Sequence, residues 1–263
     1  MKQLTLLILN TVTLAFTLFV NYLSGTGYFG KTVAEVSAQN ETLITPAGYA
    51  FAIWGLIYLF LAAFIGYQWY AWLKHKEDHD LKQTGIWFIA SNLFNAFWIY
   101  FWLNGYTGVS VITILLLLTT LVILTLRLRL EIWDAPVRII AFVWWPICIY
   151  LGWVIVASVV NIAIYLNSID WGMFGISEAV WAMIVIALAT LIYVFLIFKR
   201  NLREAAGVGI WAFIAIASKQ WGENQEVAIT ALIFSGVLFL LIAYHGFKNR
   251  HTSPFRKIAR GEI

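Results

Sequence analysis

The sequence predicts an all-α fold, a polytopic helical membrane protein, from three features. Of the 263 residues, 62% are hydrophobic and only 11% charged, and the mean hydropathy is +0.83. Soluble domains carry about 25% charged residues, so a chain this apolar lacks the polar surface to face water. Apolar runs of about 18 residues or more recur along the whole length, enough for a hydrocarbon core of roughly 30 Å. The runs are continuous rather than alternating. Because every backbone polar group in lipid must be satisfied internally, such runs form helices and not barrel strands.

Eight spans are expected, at about 4–23, 47–72, 83–104, 109–127, 138–166, 176–198, 205–220 and 226–247. The first begins "MKQLTLLILN" and resembles a signal peptide, but no small-residue cleavage site follows, so it is read as a retained helix. Thr45 is a candidate N-cap for the second span, with Pro46 at its first helical position. The seventh is the shortest. Between the first two lies the one long loop, 24–46, and loops longer than about 12–15 residues often serve as lids. A basic tail, 248–263, closes the chain and is expected to rest on anionic lipid headgroups.

Charge distribution orients the helices. With a cytoplasmic N-terminus, 15 of the 17 Lys and Arg residues fall on the inner side and only Lys31 and Lys219 on the outer. Cytoplasmic loops are the ones enriched in these residues, so both termini are expected in the cytoplasm, in a multi-pass protein of the cell membrane. The isoelectric point near 9.1 then reflects orientation and not nucleic-acid binding.

Three helical stripes stand out. In "TPAGYAFAIWGLIY", Phe51, Trp54 and Tyr58 recur at i, i+3 and i+7, with Tyr49 on the far side. The third span places Ser91, Asn95, Trp98 and Trp102 on one face, and the fifth places Trp153, Ala157 and Asn161. An asparagine inside hydrocarbon is costly unless it faces the bundle or a cavity. At 1.5 Å per residue, Trp54, Asn95 and Ala157 all lie roughly 12–14 Å below the outer ends of their helices. The stripes therefore share the outer half, beneath the long loop, as the walls of a capped aromatic pocket. The competing reading is plain helix packing. Trp69, Trp72, Trp87, Trp171 and Trp221 fit the interfacial aromatic belt instead.

On these residues the chain resembles the TspO/MBR family, the tryptophan-rich sensory proteins and translocator proteins. Gly48, Phe51, Trp54 and Tyr58 match its second-helix pattern, Asn95 and Trp98 its third, and Trp153, Ala157 and Asn161 its fifth. There are departures. Tyr49 stands where the family has tryptophan, two residues rather than three separate Phe51 from Trp54, Ile99 replaces a serine, and Pro146 lies further from Trp153. The motifs cover residues 1–167, implying a five-helix core followed by three additional helices at 168–247. The resemblance further implies flat apolar ligands such as porphyrins, haem-like tetrapyrroles or sterols, in a pocket lined by Phe51, Trp54, Tyr58, Asn95, Trp98, Trp102, Trp153, Ala157 and Asn161. Sensing or transport would be the role, with membrane lipid as surroundings and a homodimer left open.

Other chemistries fit less well. A retinal protein needs a lysine deep in its final helix, and Lys219 and Lys248 lie at helix ends. Ion-coupled transporters carry ionisable residues within their spans, and none lies mid-span here. His245 is expected at the interface, and the charged turn "KHKEDHD" with His75 and His79 reads as solvated rather than metal-binding. The spans hold no Ser/His/Asp or Cys/His constellation, so no enzymatic hydrolysis, metal or cofactor is expected. An uncoupled small-molecule or lipid carrier, or a membrane scaffold, remains as the alternative.

Overall fold

The computed structural model describes residues 3–74 and 79–261. Helices occupy all eight expected segments: α1 (Gln3–Gly25), α3 (Ile53–Leu73, entered through a 3-10 turn at Gly48–Ala52), α5 (Trp87–Leu103), α6 (Thr107–Arg127), α8 (Trp145–Ser168), α9 (Glu178–Arg200), α10 (Arg203–Gln220) and α11 (Gln225–Lys248). Short helices α2 (Val33–Gln39), α4 (His79–Thr84), α7 (Val137–Ile139) and α12 (Pro254–Ala259) complete the set, and there is no strand among the described residues. Six helical segments are long and apolar enough to cross a membrane. The two that fall short are α5, with 17 residues, and α10, whose 18 residues include Arg203, Glu204 and Lys219. They still span roughly 25 and 27 Å.

Helices α1, α5, α6, α8 and α3 pack in sequence around a ring that closes on α1. A second layer is built on α10, which packs against α8 and is flanked by α9 and α11. The α8–α10 seam is tight: a Cβ on Gly152 would come within 2.6 Å of the Ala205 carbonyl oxygen. Small residues permit this close approach, the usual way helices associate where lipid supplies no hydrophobic drive. The Tyr193 ring fills the space over Gly209, and its hydroxyl donates to the Gly152 carbonyl at 2.8 Å.

Polar bonds tie the ring together. Thr17 donates its hydroxyl to the Asn92 carbonyl at 2.8 Å, Asn92 donates to Thr13 at 3.2 Å, and Asn10 donates to Gln68 at 3.3 Å. Asn10, Thr13 and Thr17 thus form an inward polar stripe on α1. Each such bond across helices contributes about 0.6 kcal/mol on average.

The second span starts differently from expectation. Thr45 does not cap it; its hydroxyl accepts from the Thr42 amide at 3.0 Å and closes a 42–45 turn. Pro46 then precedes a 3-10 turn, which needs no side-chain cap. The fifth span also deviates. Residues 140–144 form a π turn joining α7 to α8 just before Pro146. Pro146 has no N–H to donate and its ring crowds the carbonyl four residues back, and the wider turn relieves both.

Candidate functional site

The 3-10 turn eclipses positions three apart, which brings Phe51 and Trp54 to the same side at the head of α3. From there the three stripes converge. Trp54 stacks on Tyr58 with centroids 5.5 Å apart, lies 5.7 Å from Trp98 and meets Trp153 edge-on at 6.3 Å. Phe51 packs edge-on against Trp153 at 5.8 Å, and Trp98 stacks on Trp102 at 6.1 Å. Offset and edge-to-face pairs of this kind add about 0.5–1.5 kcal/mol each beyond area burial.

These rings enclose a cavity. Seven of the nine residues singled out from the sequence line it: Phe51, Trp54, Trp98, Trp102, Trp153, Ala157 and Asn161. The other two, Tyr58 and Asn95, lie outside its wall in a polar chain below. Tyr58 donates its hydroxyl to the Asn21 amide oxygen, Asn21 donates to the Asn95 oxygen at 3.2 Å, and Asn95 donates to the Tyr150 hydroxyl at 2.8 Å. Ser91 takes no part, since its hydroxyl donates back to the Phe88 carbonyl at 2.8 Å. Tyr49 faces away and packs edge-on against Trp211 at 5.3 Å.

The cavity volume is about 20 Å³, room for one or two water molecules. The aromatic side chains fill most of the space between the three helices themselves. Three polar groups in the wall are left over. The indole N–H groups of Trp54 and Trp153 are buried without an acceptor. The hydroxyl of Ser37, also in the wall, is buried without a partner. Trp98 and Trp102 are satisfied, donating to the Asn161 oxygen at 3.1 Å and to the Val33 carbonyl at 3.2 Å. A buried donor left unpaired costs about 1–3 kcal/mol.

Helix α2, within the long loop, roofs the cavity with Val33 and Ser37. Its start is a full capping box: Thr32 accepts from the Glu35 amide at 3.2 Å and the Glu35 carboxylate accepts from the Thr32 amide at 2.7 Å. The spacing Thr-x-x-Glu at 32–35 announces such a start, a signal the sequence reading left unused. Beyond the Trp102 bond, the loop is tied to the second layer. Lys219 pairs with Glu41 at 2.6 Å, the Leu43 amide donates to Glu178 at 3.3 Å, and the Ala47 amide donates to the Ala215 carbonyl at 3.1 Å.

A second, larger cavity of about 290 Å³ lies at the opposite end of the bundle, where Glu131, Trp144, Arg203, Glu204, His245 and Lys257 meet. One expectation changes here. Lys257, read as part of a lipid-resting tail, is 2% exposed and bound to the Asp134 carboxylate and the Ala135 carbonyl. His245, expected at the interface, is buried in the cavity wall beside Asn249. Lys257 is drawn in because α12 folds back over the 131–135 loop, where Asp134 and the Ala135 carbonyl receive it. Burial pushes the Glu131 carboxyl up to about 8, the Glu204 charge adds to the rise, and Arg203 and Lys257 oppose it. The turn containing His75 lies outside the described residues, as does the side chain of His79.

Comparison with known proteins places these features in a family. The family model for TSPO-like proteins matches residues 7–244, so the likeness runs past the motif-bearing helices and through most of α11. No match is found among curated proteins or among solved structures. The chain belongs to the TSPO-like family.

Proposed function

We propose that this multi-pass membrane protein binds a flat apolar ligand carrying a hydrogen-bond acceptor, a tetrapyrrole or sterol-like molecule, between the rings of α3, α5 and α8. The observation that carries the reading is the pair of buried, unpaired indole N–H groups of Trp54 and Trp153 in one aromatic wall. Rings stack on a planar ligand, and the two donors await the acceptor that would orient it. The role is binding, for sensing or transport, rather than catalysis.

Because the cavity has room for only a water or two, binding requires the roof to lift. The ties that hold the roof are few, and an exposed ion pair such as Lys219–Glu41 contributes about 0–1 kcal/mol. A ligand filling the space and pairing both indoles would offset that cost. Titration of protoporphyrin and sterol probes into purified protein, read by tryptophan quenching, tests the proposal. Saturable binding that weakens in Trp153→Phe supports it. An absence of saturable quenching with every probe would sink it. The carrier alternative makes a separate demand, namely ligand flux into protein-containing liposomes.

A further inference from the structure

Two cavities outside the aromatic site share a lining residue, Glu204. One is the polar cavity of about 290 Å³ described above, and the other is an apolar groove of about 440 Å³ between α3 and α10. The groove is floored by Ile53, Ile149, Gly207 and Val208, with Leu56 and Trp211 exposed along its rim. It exists because α10 is pinned to the chain entering α3 only near one end. There the Trp211 indole donates to the Ala50 carbonyl at 3.1 Å and the Ala47 amide donates to the Ala215 carbonyl at 3.1 Å. From Glu204 the groove follows α10 for seven residues to Trp211, roughly 10 Å.

The polar cavity has four buried polar atoms with no partner. Two are carboxyl oxygens, one each of Glu131 and Glu204; two are donors, the Arg203 Nε and the Trp144 indole N–H. Trp144 is 2% exposed, so its indole N–H faces only the cavity and its neighbours. An occupant satisfying all four must both donate and accept hydrogen bonds, as a head that carries an ammonium and a phosphate does. The groove that opens beside Glu204 asks for an alkyl chain. A head with both charges and an apolar tail is the chemistry of a zwitterionic phospholipid. The arrangement also suits the bilayer: the cavity lies at the helix ends, where headgroups lie, and the groove runs inward from it.

We propose that the polar cavity and the α3–α10 groove form one site for a phospholipid with a primary-ammonium headgroup. The ammonium bonds the Glu204 carboxylate and the carbonyl oxygen of the Glu131 carboxyl, the phosphate takes the N–H groups of Arg203 and Trp144, and one acyl chain lies along Gly207 and Val208. A trimethylated ammonium has no N–H to donate, so phosphatidylcholine hydrogen-bonds neither glutamate. The site is separate from the aromatic cavity and its test does not depend on that one.

Native mass spectrometry of the full chain, with phosphatidylethanolamine and phosphatidylcholine of identical chains in competition, tests the proposal. The ethanolamine lipid is expected to be retained at least ~10-fold over the choline lipid, equivalent to about 1.4 kcal/mol. Glu204→Gln should erase that preference. Gly207→Leu, whose new side chain starts in open space, should block the groove and lower retention of both lipids. Ala157→Phe in the aromatic cavity should leave retention unchanged. Equal retention of the two lipids by the wild-type chain would overturn the proposal without recourse to any variant. Unchanged retention in both variants would do the same, as would free phosphoethanolamine competing as well as the lipid.

Discussion

The indole of Trp98 on α5 donates its N–H to the amide oxygen of Asn161 on α8 at 3.1 Å, and the Asn161 amide donates in turn to Ser110 on α6 at 3.0 Å. One asparagine thus joins three helices of the ring and fixes the rotamer of a ring in the cavity wall. Its polar head is satisfied on both sides, which is why it is tolerated within hydrocarbon.

Replacing Asn161 by Leu should cost about 1–3 kcal/mol, because the Trp98 donor is then buried without an acceptor. A thermal melt in detergent would register this as a fall of several degrees. A variant as stable as the wild type would show that water replaces the amide.

Ala157 is the small residue of the α8 stripe, half-buried in the cavity wall. Ala157→Phe is expected to lower affinity for a flat aromatic ligand by at least ~10-fold, about 1.4 kcal/mol, in a protein that still folds. If the residue serves helix packing instead, the same change overpacks the interface and costs about 1–3 kcal/mol of stability with no particular effect on ligand. Affinity and melting temperature of that single variant separate the two.

The roof over the cavity should respond to its ties. Glu41→Gln removes the Lys219 partner, worth at most about 1 kcal/mol, so opening becomes up to ~5-fold more frequent. Limited proteolysis within 26–46 reads this directly. Saturating ligand should suppress cleavage in both proteins, and cleavage indifferent to ligand would argue against a lid.

Glu131 makes stability depend on pH. Its carboxyl is raised from 4.5 to about 8 by burial first and by Glu204 second. Folded protein therefore holds a proton that the unfolded chain releases above about pH 4.5. The unfolded state binds fewer protons between those values, so stability falls as pH rises through the window from about 4.5 to 8. Glu131→Gln should flatten that fall by at least ~1 kcal/mol, less than one pKa unit's equivalent. Parallel melting curves for the two proteins at pH 5 and pH 8.5 would refute it.

The charge asymmetry fixes a last expectation. Reporter fusions at residues 38, 78, 106 and 263 should read outside, inside, outside and inside, placing both termini in the cytoplasm. An external C-terminus would remove one of α5 and α10 from the set of spans.

Periodicity and depth carried the sequence reading where the chemistry repeats along one helix. Phe51 and Trp54, Trp98 and Trp102, and Trp153 and Asn161 could be seen to share faces, and rise per residue could bring those faces to one level. Tyr150 was missed although it lies three residues before Trp153 on the same face, because a tyrosine among apolar neighbours reads as packing until Asn95 is seen beside it. Collapse of the rings was illegible for a similar reason: stripes give the direction of side chains, not how much volume the partners leave. The polar cavity was beyond reach. Its residues come from separate segments at 131–135, 140–144, 201–204 and 245–257, most of them contributing a polar or charged group near a helix end. Nothing local distinguishes those from ordinary interfacial charges.

Helix α8 carries Trp153 toward the aromatic cavity and the adjacent Gly152 toward Ala205 of α10. The segment 137–168 that it completes is the most buried of the long apolar segments. This has a consequence for biosynthesis. When α8 leaves the ribosome, α10 has not yet been made, so its glycine seam must wait in lipid or against the insertion machinery until Ala205 arrives. The first helix supplies the polar chain below the cavity through Asn21, while α9 and α10 hold its roof and α10 braces α8. Assembly of the binding end therefore finishes only when the last helices dock, and a chain released early would leave α8 with half of its surroundings missing.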